Sequence, residues 1–492
     1  MNPTQQYTLL KSFYAQFGYA PVHIKSFERF VEDKMPRIAK STEIAPKVTI
    51  PGYKSISIKI DSVKLGKPEI REKDGTIRLL YPMECRIRDL TYSAPIIANV
   101  SFIGDGEKLK QEEVVIGELP VIVRSKYCNL YGMSRENLIN KAREDPDDPG
   151  GYFIINGTER LIMTTEDLAP NKIVVTKSTQ EGIEYSARIY ADAGSIKLPH
   201  TIIMAKNGQF YITLGVFKKL HVMALVKVLG INNKEDVISF TNAPEKAKWI
   251  LEANWIEADK EEKEILEHFS KSSGISKKRS IYSGLDNFLL PFLGQDSKSR
   301  VSKAIYILYA VGRILRHWVE GTEDDRDSYS NKRVHAEDYN LEIIFSTSMK
   351  ALAKDAANAF NDIVQKQKKL PPAQYIFSQS VLVRRLLSSI STGIWPGSRT
   401  GVTEQLSRGS FYDTLSYLRR VKSLITSNRE NSSARVLHGT HYGRLCIIET
   451  PEDASVGLVK NLATLAYIVS DVENKERDQV EKLIKDEGVK LR

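Results

Sequence analysis

The period of the hydrophobic pattern changes twice along this chain, and no single type of secondary structure can satisfy both periods. In residues 1–40 apolar side chains return every three or four positions (Leu9, Phe13, Phe17, Phe27, Phe30, Val31), which predicts helices with one buried face. Over 48–60 the pattern becomes alternation, and Ser55-Ile56-Ser57-Ile58-Lys59-Ile60 sets its isoleucines on one face of a strand. Further strands are expected at 77–80, 84–90, 114–124 and 152–156, with Asp74-Gly75 and Gly104-Asp105-Gly106 as turns. Alternation returns at 172–176, 184–190 and 209–214, an antiparallel module starting near residue 168. Helical spacing then takes over at 302–319, 340–355 and 356–367, stopped by Pro371-Pro372. The fold class is therefore α+β, with mixed helices and antiparallel sheets.

A chain of 492 residues with 41% hydrophobic side chains fills more than one core, so two to four packed units are expected. The net charge of +10 favours a polyanionic partner only if the basic groups are locally arranged. Three cysteines, Cys85, Cys128 and Cys446, without C-x-x-C spacing, argue against a disulfide scaffold or a four-thiolate zinc site and fit a reducing cytoplasm. No segment reaches the roughly 20 apolar residues that span a bilayer, and no basic stretch leads into an apolar run at the N-terminus. A soluble cytoplasmic protein without a membrane partner is expected.

Polar chemistry concentrates in three places. The run REDPDDPGG at 143–151 reads as a loop, since its prolines lack donors and its glycines permit unusual backbone angles. The acids Glu323, Asp324, Asp325 and Asp327 suit either a magnesium ion or an ion-paired turn. Over 399–424, Tyr412, Leu415, Leu418 and Leu424 can face a core while Arg408, Arg419, Arg420 and Lys422 reach elsewhere, to phosphates or to acidic protein. The stretch RVLHGTHYGR at 435–444 runs on through Glu449-Thr450-Pro451-Glu452 to Lys460 and Asn461. His438, His441 and Cys446 imitate metal-ligand spacing but lack a complete fourth-ligand pattern, so a polar loop organised by hydrogen bonds is the simpler reading. No phosphate-binding G-x-x-x-x-G-K-[ST] signature is present.

In order along the chain, RIRDLTYSAP (86–95), IGELPVIVRSKYCNLYG (116–132), DPGGYFIINGTERLI (148–162), EDLAPNKI (166–173), DDRDSYSNKR (324–333), SRTGVTEQLSR (398–408), YLRR (417–420) and the closing RVLHGTHYGR, ETPE and GLVKNL segments resemble the second-largest subunit of multisubunit DNA-directed RNA polymerase. The resemblance is to its N-terminal half in the archaeal, split-subunit form. It implies an elongated multidomain subunit fragment: a protrusion from 1–167 and 306–374, an inserted lobe at 168–305, a fork and the start of an active-centre wall at 375–470, and a partner-joining tail at 471–492, with a short helix at 473–485. It implies a nucleotidyltransferase complex in which this chain, inactive alone, closes one side of the DNA cleft. Implied partners are template DNA, the RNA transcript and their hybrid, the C-terminal half of the same subunit, the largest subunit and smaller assembly subunits. No catalytic residue, metal or cofactor is implied on this chain; magnesium would be held mainly by the largest subunit. The resemblance places Arg399, Glu404, Ser407, Tyr417, Arg419, Arg420 and Arg429 on the fork side near nucleic acid. It places Arg435, His438, His441, Arg444, Glu449, Glu452 and Lys460 in active-centre support. The chain departs from the family pattern where glutamine and aspartate stand as Glu404 and Ser407, where a histidine stands as Tyr417, and where Asp453-Ala454-Ser455 follows ETPE. A noncatalytic, polymerase-derived nucleic-acid-binding scaffold is the competing expectation.

Overall fold

The computed structural model describes residues 2–192, 197–215, 217–258, 262–273, 278–396, 399–425, 432–468 and 479–484. They divide into two compact units, Met1–Glu166 with Val334–Leu437 and His441–Arg492, and Asp167–Arg333 with His438–Thr440.

The first unit is organised by an antiparallel sheet in the order Glu43–Ile44, Ile56–Leu65, Ser93–Gly104, Glu107–Pro120. Ile56, Ile58 and Ile60 lie on its buried face, as their alternation predicts, although the strand begins at Ile56 rather than at 48. Asp105 (φ 50°) and Gly106 (φ 93°) form the two-residue turn of the long hairpin, a geometry whose two positive φ angles suit an Asp-Gly pair. Residues 340–367 form one helix rather than two, Glu337–Gln367, which buries Leu341, Phe345, Met349, Leu352 and Phe360. Beside it the helix Gln379–Thr392 presses on the sheet so closely that a Cβ on Gly117 would sit 3.0 Å from Leu382.

Two expectations fail here. Residues 84–90 are not a strand, because Pro82 presets the first turn of a helix, Pro82–Ile87, whose Cys85 is buried while Glu84 pairs with Arg88 one turn on. Conversely, Ser93–Gly104 is a long central strand that the alternation count passed over. The loop at 143–151 is confirmed: a Cβ on Gly150 would lie 2.6 Å from the Val123 carbonyl, and one on Gly151 2.7 Å from the Ala20 methyl. That close approach brings His23 into the core, where its Nδ1 meets Glu337 Oε1 at 2.7 Å and its Nε2 the Leu418 carbonyl at 2.8 Å.

The second unit has its own antiparallel meander, Ile173–Lys177, Ile183–Asp192, Lys197–Ala205, Phe210–Leu214 and Phe217–His221, in chain order. The helix Arg300–Glu320 buries Ala304, Ile307, Leu308, Val311 and Leu315 in that unit's core, so packing carries the unit past residue 305 to Arg333. Residues 479–484 are helical; the remainder of the helix expected over 473–485 lies outside the described residues.

Candidate nucleic-acid interface

The fork-side arginines stand on a small mixed sheet. The strand Arg420–Ser423 runs parallel to Thr164–Leu168 and antiparallel to Val459–Asn461, with Arg420 opposite Asn461 and Val421 opposite Lys460. A further extended segment joins it, the Cys446 N–H donating to the Asn461 carbonyl at 2.8 Å and the Ala463 N–H to the Arg444 carbonyl at 3.0 Å. Arg420 and Lys460 are thereby held on neighbouring strands, with Arg419 and Arg444 in the turns just before Arg420 and Leu445. Lys460 Nζ reaches across the central strand to Glu166 Oε1 at 2.5 Å, and both side chains are buried. Such a pair fixes register, because removing one partner would strand a buried charge.

Two of the residues that depart from the resembled pattern, Glu404 and Tyr417, touch each other. The Tyr417 hydroxyl donates to Glu404 Oε2 at 2.7 Å, and Lys422 Nζ donates to the other oxygen of the same carboxylate. Burial, with Glu404 beside it, pushes the Tyr417 phenol up, so it stays a neutral donor. The Arg420 guanidinium lies 4.3 Å from the centroid of the Tyr417 ring. Glu404 is placed by the strand Thr403–Gln405, which pairs with Thr158–Ile162. Ser407 donates to Asp413, whose own N–H is capped by the Ser410 hydroxyl at 3.1 Å. Tyr412, expected to face a core, is 81% exposed, because the helix Phe411–Tyr417 buries Thr414 and Tyr417 on the opposite face.

Arg419 donates to the carbonyls of Ala463 (2.6 Å), Thr464 (3.2 Å) and Ala466 (3.3 Å), and burial lowers its pKa. This guanidinium pins the following segment. Arg399 donates from Nη1 to Asn340 Oδ1 at 3.3 Å and lies 5.8 Å from the Tyr339 ring; its Nη2 is buried and has no hydrogen-bond partner among the described residues. Arg435 grips the carbonyls of Ala454 (2.8 Å) and Val456 (3.0 Å), and its own backbone would be 2.3 Å from a Cβ on Gly457, so glycine is obligatory there. Glu449 accepts from the Ser416 hydroxyl and from Asn461 Nδ2 at 3.0 Å. His441 is buried, its carbonyl accepting from the N–H groups of Arg444 (3.0 Å) and Leu445 (2.9 Å). The Arg444 and Glu452 side chains are exposed, and Arg429 lies outside the described residues.

His438 belongs to the second unit, where its Nε2 meets Asp325 Oδ2 and its Nδ1 the Thr440 hydroxyl, each at 2.7 Å. The acids beside it are engaged by protein donors. Asp324 accepts from Arg313 and from the Val175 N–H at 2.8 Å, Glu323 accepts from the Lys177 N–H at 2.9 Å, and Asp325 accepts from the Asp327 N–H at 3.0 Å. These oxygens do not converge as a magnesium cage, and among the described residues no group of three or more His, Cys, Asp or Glu side chains is placed to hold a metal. Among the described residues no helix is long and apolar enough to cross a membrane. Glu166 and Ser416, whose partners are remote in sequence, were not among the expected site residues, and Asn461 was expected only as the end of the polar run. Only their place in the quoted segments EDLAPNKI and GLVKNL could have flagged Glu166 and Asn461.

A family model described as RNA polymerase beta subunit matches residues 18–383, and one described as RNA polymerase Rpb2, domain 3 matches residues 404–468. DNA-directed RNA polymerase subunit Rpo2 of Saccharolobus solfataricus is 32% identical over 99% of this chain and 43% of its own length, so the chain spans under half of that relative. Subunit Rpo2N of Methanocaldococcus jannaschii is 33% identical over 98% of this chain and 99% of its own length. Subunit Rpo2N of Halobacterium salinarum is 33% identical over 96% of this chain and 94% of its own length.

Proposed function

The chain belongs to the RNA polymerase beta-subunit family, and from that premise we propose that it works as one piece of a multisubunit DNA-directed RNA polymerase, synthesising RNA on a DNA template from nucleoside triphosphates. Its own part is positional. It forms one side of the DNA cleft and holds template and RNA–DNA hybrid, and fixed placement of reactants supplies a large share of the rate in a bimolecular transfer. The observation that carries the reading is the braced sheet at 420–423 and 459–461. Arg420 is held over the Tyr417 ring there and Arg419 locks the adjoining backbone, so the basic groups are fixed in place by the protein itself. Arg399, Arg420 and Arg444 are the residues proposed to meet phosphates; Glu404, Ser407, Tyr417, Arg419, Arg435, His441, Glu449 and Lys460 hold them in position.

On this reading 1–167 and the helix Glu337–Gln367 build the protrusion, and 375–470 the fork and the start of the active-centre wall. The packing of Arg300–Glu320 supports carrying the lobe from 168 on to Arg333. The catalytic magnesium is assigned to the largest subunit, where it would activate the attacking oxygen and stabilise the leaving phosphates. The remaining partners are the C-terminal half of the second-largest subunit and the smaller assembly subunits, in the cytoplasm. The test is mass spectrometry of the native complex purified through this chain, with templated RNA extension by the same fraction. Recovery of the largest subunit and the C-terminal half, with extension dependent on nucleoside triphosphates and magnesium, supports the assignment. A stable isolated chain that binds nucleic acid and recruits neither partner overturns it in favour of a noncatalytic scaffold.

A further inference from the structure

We propose that the cavity between the helices Glu337–Gln367 and Gln379–Thr392 is a binding site for a small organic phosphate, a nucleotide-sized molecule with an anionic group beside an apolar body. The cavity volume is ≈ 520 Å³, within the range of about 300–1,000 Å³ typical of small-molecule sites. Arg384 and Arg385 both line it, and among the described residues neither guanidinium is paired with a carboxylate. Arg78, Arg86, Arg88 and Arg408 of the same unit are neutralised by glutamates, whereas Arg384 and Arg385 bring positive charge to the cavity wall.

The rest of the lining points the same way. The wall includes Ser348, fully buried, whose hydroxyl is closed to solvent and has no hydrogen-bond partner among the described residues. Ser388, exposed, supplies the hydroxyl, while Ile344 and Val381 give the wall an apolar portion for the ligand's body. Phosphate is favoured over carboxylate because its three free oxygens can engage two guanidiniums and a hydroxyl together, whereas a carboxylate is used up by one bidentate fork. Asn340, Ile344 and Ser348 share one helix face, and Asn340 is the residue that holds Arg399.

The experiment is titration of the full chain with adenosine monophosphate and, separately, with inorganic phosphate, by isothermal calorimetry. Saturable one-to-one binding of the nucleotide is expected, with phosphate weaker. The paired substitution Arg384→Gln, Arg385→Gln should weaken it at least about tenfold, the loss of two charge-assisted contacts, without moving the melting temperature, because both side chains are exposed. Ser388→Ala should weaken it several-fold. Absence of saturable binding, or affinity unchanged by the paired substitution, overturns the proposal. So does uptake of a glutamate-rich peptide in place of the nucleotide, since the site would then serve a protein partner.

Discussion

His23 and Glu337 are both fully enclosed and share one short contact, so neither ion is solvated by water. Burial pushes Glu337 up to about 7, against the opposing pull of His23. For His23, burial acts to lower the pKa, but the Glu337 charge and hydrogen bond outweigh it and the net shift is upward. Both raised values mean that the folded chain keeps protons the unfolded chain has released, above the ordinary carboxylate value of 4.5 and above the ordinary imidazole value of 6.5. Stability from this pair is thus present at acid pH and lost as pH rises through about 7, with a slope of up to about 1.4 kcal/mol per pH unit for each proton. Urea unfolding between pH 5 and 8 should show the decline, and His23→Gln with Glu337→Gln should flatten it. At Tyr417 the hydroxyl donates to a carboxylate that Lys422 also holds, so Tyr417→Phe should cost about 1–2 kcal/mol, the worth of one hydrogen bond to a charged group that is partly exposed. Equal urea midpoints for the variant and the parent would show the bond to be idle. The resemblance named Glu404 and Tyr417 separately; nothing in a linear spacing of 13 residues says that they touch. The same blindness hid Glu166 from Lys460, which lies 294 residues away in sequence.

Elements were legible where a single face decided them. The helix Arg300–Glu320 was evident from its apolar spacing, and the structure adds why Gly312 interrupts that spacing: a Cβ there would come within 1.8 Å of the Thr241 carbonyl at the end of the helix Lys234–Thr241. Gly312→Ala should therefore force the two helices apart and cost about 2 kcal/mol or more, although alanine is the better helix former. Limited proteolysis should cut the second unit of the variant faster, and unchanged cleavage would mean that the contact can slide. Strands were harder. Ser93–Gly104 buries one face, with Ala94, Ile96, Ala98, Val100 and Phe102, but its half-buried opposite face carries Pro95, Ile97 and Ile103, so its sequence is not a clean alternation of polar and apolar residues. Residues 84–90 failed for a different reason. A short amphipathic stretch satisfies either period, and Pro82, which settles the matter for a helix, lies just outside it.

For the whole molecule, the telling feature is that the second unit carries its own sheet and its own core, Ile173 through Leu315, while its chain is inserted between segments of the first. A unit with a private core can fold without the segments that flank it. The excised segment 167–333 should then melt cooperatively and give dispersed amide resonances, whereas the first unit, whose sheet and helices come from both sides of the insertion, should not fold from residues 1–166 alone. The reason lies in the helix Glu337–Gln367. It supplies Leu341, Phe345, Met349 and Phe360 to the core around Phe27, Phe30, Ile58 and Ile60, and its first residue receives His23. Cut away, it would leave that face of the sheet in water. Cooperative folding of 1–166 by itself would mean that the discontinuity is incidental. Failure of 1–166, with recovery when 334–437 is supplied in trans, would place the fork-side segment and the N-terminal helices in one folding unit, so that Arg419 and Arg420 take their positions only after the inserted unit has been passed.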